Sequence, residues 1–210
     1  MTQELPGRSL REELGGRADP NFEIKLLPGW QRRSPDDEDL RTLESAAKKK
    51  FMSAHRPDLY AGVKSMLEKS HEIMRQEKVV AYYVPSEDRA DTLWIPGSIS
   101  ATIRQPPPGR TLDEMIRELI ISQGATPLFG DKRFVRVEND QRVQVQGGTV
   151  AQTSLMYVTP VPGSKRRRAL QFTASFARPV EVDAEDEKVI AMKTAFDVCI
   201  STLRWYPPGQ

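Results

Sequence analysis

The chain has 210 residues, 38% of them apolar and 29% charged, and its 31 basic side chains nearly balance 29 acidic ones. A net charge of +2 gives no whole-protein field that would steer the molecule toward nucleic acid or an anionic membrane. Cys199 is the only cysteine, which excludes an internal disulfide, and no run reaches the ~18 apolar residues of a membrane span.

A domain of this size buries roughly 70% of the surface its unfolded chain exposes, so neither a disulfide nor a metal is needed to stabilise it. The charged start, Met1 to Asp19, lacks the apolar segment of a signal peptide. Together with the sparse cysteine usage, this leads us to expect a cytoplasmic protein. Residues 1–20 carry Pro6, Gly7, Gly15, Gly16 and Pro20 among charges and read as a disordered arm. Residues 21–206 read as one domain with a two-helix segment at about 35–77, and 207–210 as a tail.

Phe22 to Leu26 alternates apolar and polar side chains, the pattern of a half-buried strand. Pro28-Gly29 turns the chain, and Trp30 follows as a core anchor. Ser34 is expected to cap a helix with Pro35 at its first position and Asp36 and Asp37 at its positive end. Leu40, Leu43, Ala47 and Phe51 form the apolar stripe of that helix. A second helix is expected after Pro57, carrying Leu59, Val63, Met66, Leu67, Ile73 and Met74.

Lys78 to Val84, Leu93 to Ile95 and Ile99 to Ile103 are read as strands, and Pro106-Pro107-Pro108 as a rigid linker. Thr111 and Glu114 have the spacing of a capping box, and Leu112, Met115, Ile116, Leu119 and Ile120 follow at helical spacing up to Gly124. From Arg133 to Pro179 a meander is expected, with turns at Asn139-Asp140, Gly147-Gly148 and Pro162-Gly163-Ser164. Asp183 is expected to cap a last helix with Val189, Met192, Phe196, Cys199, Ile200 and Leu203 on one face. Runs of strands set apart from helices give an α+β fold, a twisted antiparallel sheet packed with helices.

Catalytic signatures are missing. Neither the P-loop nor the dinucleotide glycine pattern occurs, nor the G-x-S-x-G nucleophile elbow. His71-Glu72 is followed by Ile73-Met74-Arg75, which breaks the zinc-protease spacing. His55 and His71, sixteen positions apart, read as surface or half-buried side chains rather than metal ligands, since zinc needs three or four donors held together. Cys199 reads as an inert buried thiol. The acidic clusters at 36–39 and 181–187 begin helices, where carboxylates suit the dipole, and lack the calcium-loop pattern. No catalytic, cofactor or metal residue is therefore assigned.

The sharpest charge feature is Lys165-Arg166-Arg167-Arg168, placed just after a turn, where it could meet an acidic partner. The aromatic interleaving of a single-strand nucleic-acid platform is absent, which argues against nucleic acid as the partner.

Phe22-Glu23-Ile24-Lys25-Leu26-Leu27-Pro28-Gly29-Trp30 resembles the opening strand and turn of Mog1/PsbP-like domains. Thr194 to Trp205 is similar to the final helix of that superfamily, which ends near a tryptophan. The resemblance spans about residues 21–206, with the two helices between Pro35 and Glu77 as an elaboration. It implies an α/β/α-type sandwich around an antiparallel sheet, used mainly as a non-enzymatic binding or assembly module. Members include a nuclear transport factor, a photosystem subunit and actinobacterial lipoproteins. The lipoprotein's lipid-attachment cysteine is absent here, and no family functional residue transfers.

The expected function is thus non-catalytic: a protein–protein interaction or assembly accessory domain whose partner is another protein. Two alternatives stand beside it. One is a small-ligand binder or unrecognised enzyme, with Tyr82, Tyr83, Trp94 and Arg104 lining its pocket. The other is binding of an acidic partner or nucleic acid through Lys165, Arg166, Arg167 and Arg168.

Overall fold

The computed structural model describes residues 20–86, 90–145 and 148–207; the expected arm falls almost wholly outside them. Among the described residues, nine strands and four helices follow one another. They are β1 (Asn21–Glu23), β2 (Trp30–Arg33), α1 (Asp37–Ser53), α2 (Pro57–Gln76), β3 (Val79–Pro85), β4 (Gly97–Arg104), α3 (Leu112–Gln123), β5 (Thr126–Leu128), β6 (Asp131–Val145), β7 (Gly148–Pro160), β8 (Ala169–Pro179), α4 (Glu187–Ser201) and β9 (Arg204–Tyr206). Seven strands make one antiparallel sheet in the order β2-β3-β4-β8-β7-β6-β5, and β1 pairs with β9 beside it. The fold is α+β.

The alternation of β7 and β8 decides where the helices lie. Leu155, Tyr157, Leu170, Phe172, Ala174 and Phe176 share one face and form the main core with Val189, Phe196, Cys199 and Ile200 of α4. Val158 and Ala169 turn to the opposite face, where Leu112, Met115, Ile116 and Leu119 of α3 cover them. Phe196 is the keystone: its ring lies 5.6 Å edge-on from Trp30 and 6.1 Å from Phe176 in a stacked pair.

Several local expectations change. Arg33 is still paired with Tyr82 in the sheet, so the chain is not free to enter α1 until Asp36. Asp36, not Ser34, is the cap, and its carboxylate accepts the Asp39 N–H at 2.8 Å. Asp183 likewise closes a preceding turn by accepting the Glu185 N–H, and Asp186 caps α4. No turn forms at Asn139-Asp140, because β6 runs through it unbroken. Asp140 there accepts the Thr153 hydroxyl at 2.7 Å and pairs with Arg178, which satisfies a side chain that otherwise favours turns. The expected turn at Gly147-Gly148 falls where Val145 pairs with Gly148, although residues 146–147 lie outside the described ones.

Leu93 to Ile95 is not a strand. It braces the Pro28-Gly29 turn instead: Leu93 N–H donates to Pro28 O at 2.9 Å, and Leu93 O accepts the Trp30 indole N–H at 2.9 Å. Trp94 projects into solvent, 60% exposed. The expected first strand shortens to Asn21–Glu23 because its partner, β9, has only three residues.

Candidate functional site

Two surfaces stand out. The first is the hairpin of α1 and α2. The three-residue link 54–56, with His55 at φ +55°, turns the chain back, and Asp37 and Arg75 close the base at 2.8 Å. The two helices pack on each other, and the apolar side chains Leu40, Leu43, Ala47 and Phe51 of α1 and Tyr60, Val63 and Leu67 of α2 are all only half-buried. Of their 37 residues, 17 in α1 and 20 in α2, only His71 is buried. A pair of helices that leaves its seam half-wet gains little from packing and stands out from the sheet.

What fastens the hairpin is polar. Asp39 at the start of α1 receives Arg33 Nε from β2 at 2.7 Å, the Tyr82 hydroxyl from β3, and His71 Nε2 from α2 at 3.2 Å. The other imidazole nitrogen lies 3.1 Å from Leu67 O. His71 is 1% exposed, so it is not the surface or half-buried side chain that the sequence pattern suggests. The reason is that the foot of α2 rests on Tyr82, whose ring meets the imidazole edge-on. Burial and then the Asp39 carboxylate push the Tyr82 phenol well above its usual range. Every polar group at this root has its partner within the fold, so the arrangement anchors the hairpin and leaves no free nucleophile.

Around α2 the side chains divide into two flanks. One, on the Asp37–Arg75 side, carries Lys64, Glu68, Glu72 and Arg75. The other carries Leu59, Gly62, Met66, Ser70 and Ile73, with Leu59 41%, Met66 68% and Ile73 49% exposed. Gly62 is unusual, because a Cβ there would meet nothing within 4 Å and its backbone is ordinary helix. A mid-helix glycine costs about 1 kcal/mol relative to alanine, and nothing in this fold requires it.

The second surface is a cleft of about 370 Å³ at one end of the sheet. Phe134, Leu203 and Trp205 are among its apolar walls, and Lys132, Arg133 and Arg166 stand around it. The cation run of the sequence is split here. Lys165, Arg166 and Arg167 reach solvent, while Arg168 is folded in at the start of β8. Arg166 pairs with Asp113 at the first turn of α3, and Arg133 with Asp131 at 2.7 Å. Lys165 and Arg166 both take the left-handed conformation, φ +51° and +56°, which turns the tip over the cleft wall. Lys132, Arg133 and Trp205 were missed by sequence reasoning, as they come together only when β6, β9 and the β7–β8 turn meet.

The side chains proposed as a pocket lining do not converge. Tyr83 points into the α4 core, Tyr82 onto the hairpin root and Trp94 to solvent, while Arg104 pairs with Glu77. Cys199 is buried and donates to Lys25 O, and burial pushes its thiol up to about 12. No helix among the described residues is long and apolar enough to cross a membrane. No family model matches this chain, and no curated protein or solved structure matches it.

Proposed function

We propose that this chain is a non-catalytic binding or assembly module that presents the α1–α2 hairpin to a protein partner. The observation that carries the reading is the hairpin itself: two helices with a single buried residue, held at the root by Asp39, and an apolar flank in water. Large exposed apolar side chains on one helix flank are what a helix-packing interface covers. The Mog1/PsbP-like resemblance agrees with this reading. Its two quoted ends meet in β1 and β9, where Phe22 lies opposite Trp205 with the rings 6.0 Å apart. The hairpin is then the added element that sets this chain's partner.

A photo-crosslinking residue placed in vivo at Met66 or Ile73 is expected to give a defined protein adduct, and one placed at Gln144 on β6 none. Equal labelling from all three positions, or no adduct from the hairpin, would remove the proposal.

A second reading is favoured by the cleft alone. Lys132 stands at an aromatic wall with Arg133 and Arg166, whose exposed partners Asp131 and Asp113 an acidic segment bearing an apolar side chain would displace. Reversing Lys132, Arg133 and Arg166 to glutamate should abolish binding of such a segment and leave hairpin crosslinking intact.

A further inference from the structure

We infer that the hairpin's partner is a second copy of this chain, paired antiparallel along α2 about a two-fold axis through Met66. This rests on the hairpin being a docking element and goes on to name the occupant.

The exposed flank reads the same in both directions. Leu59, Gly62, Met66, Ser70 and Ile73 are spaced by three, four, four and three residues. Turning a second α2 end over end about Met66 places Leu59 against Ile73 of the other copy and Gly62 against its Ser70. Large apolar side chains meet at the outer positions and small ones between them, the alternation that lets two helices interdigitate at close range. The open space at Gly62 acquires a purpose, because an approaching helix uses the room that no residue of this chain fills.

The neighbouring helix flanks the same seam. The link between Ser53 and Pro57 and the Asp39–His71 contact set the two helices side by side so that Glu44 to Ala46 of α1 lie at about the height of Met66. Thr42 and Ala46 are exposed there and are small enough to admit a second hairpin, so two hairpins stack as a four-helix bundle with crossings near antiparallel. The size suffices. Twenty residues of α2 at 1.5 Å rise give about 30 Å, and two helices side by side about 20 Å, so each copy covers roughly 600 Å² and the pair roughly 1,200 Å², the lower end of stable interfaces. A different protein is not required to repeat the palindrome; a second copy is.

The test uses the full chain. Sedimentation is expected to give twice 23.7 kDa, falling to the single-chain mass on dilution. Met66→Glu sets two like charges face to face and should yield a monomer with an unchanged circular dichroism spectrum. Met66→Cys should form a symmetric disulfide on mild oxidation, with buried Cys199 silent. Leu59→Cys alone should not crosslink, whereas Leu59→Cys with Ile73→Cys should. A single-chain mass at every concentration overturns self-pairing, as does a dimer that survives Met66→Glu while the Met66→Cys variant fails to crosslink. In either case the photo-adduct from Met66, if of foreign mass, still upholds the docking role of the hairpin.

Discussion

The Tyr82 hydroxyl of β3 donates to Asp39 Oδ2 at the foot of α1, the same oxygen that His71 Nε2 approaches at 3.2 Å. One carboxylate thus ties both helices to the sheet. Asp39→Ala would strand Arg33, Tyr82 and His71 without their shared acceptor, a loss of about 3 kcal/mol for a buried, paired charge. The expected signature is local: amide exchange accelerates across Asp37–Gln76 and stays slow in β7 and β8. Uniform behaviour in all elements would show that the root does not control the hairpin.

Two glycines should respond oppositely to the same change. At Gly29, φ is +71° and an added Cβ would come within 2.4 Å of the Thr92 backbone, so Gly29→Ala should lower stability by more than about 2 kcal/mol. At Gly62 the Cβ enters open space within the single chain, so in the unpaired Met66→Glu background Gly62→Ala should stabilise the chain by about 0.5–1 kcal/mol, whereas without Met66→Glu it should weaken self-pairing. Denaturant midpoints of the two variants, measured side by side, decide both.

The contrast shows what was legible in the sequence. The capping box at Thr111 and Glu114, the left-handed Gly124 and the apolar stripe of α4 are local signals, and each is realised where its residues stand. The three-residue strands β5 and β9 have no periodicity to read, and each is defined only by its pairing, β5 with β6 and β9 with β1. Likewise Asn139-Asp140 looks like a turn until Arg178 and Thr153 arrive from β8 and β7. The candidate surfaces divide the same way. Arg166 was visible as part of a cation run and Trp205 as the end of the last helix, but not that they line one cleft, and the burial of His71 depends on Tyr82 eleven residues later.

Cys199 tests the core. Its thiol is pushed up to about 12 by burial and donates to Lys25 O, so little thiolate forms near neutral pH. Labelling by a disulfide reagent should proceed at the rate of global unfolding and accelerate in step with denaturant. Labelling at the rate of a free thiol in the native protein would mean that α4 opens on its own.

Tyr83 offers a cleaner deletion. Its hydroxyl is buried with no protein hydrogen-bond partner among the described residues, and burial pushes the phenol up to about 12. Removing an unsatisfied buried hydroxyl relieves a desolvation cost, so Tyr83→Phe should be neutral or stabilising by up to about 1 kcal/mol. A loss beyond that, seen as a lower melting temperature, would reveal a partner such as an ordered water.

Acid should weaken the α4 edge of the sheet through Glu138. Burial alone would raise this carboxyl, but Lys193 at 2.6 Å and Arg136 at 3.0 Å outweigh it and hold it below its ordinary 4.5. A folded value lower than the unfolded one means that the contribution is fully present above pH 4.5 and is lost as pH falls through the folded value. Glu138→Gln removes that charge at every pH. The stability gap between wild type and variant should therefore be widest at neutral pH and close progressively below pH 4.5. A gap that stays constant down to the acid end would mean that the Lys193 and Arg136 contacts owe nothing to the carboxylate's charge, and that Lys193 is held chiefly by Ala184 O at 2.8 Å.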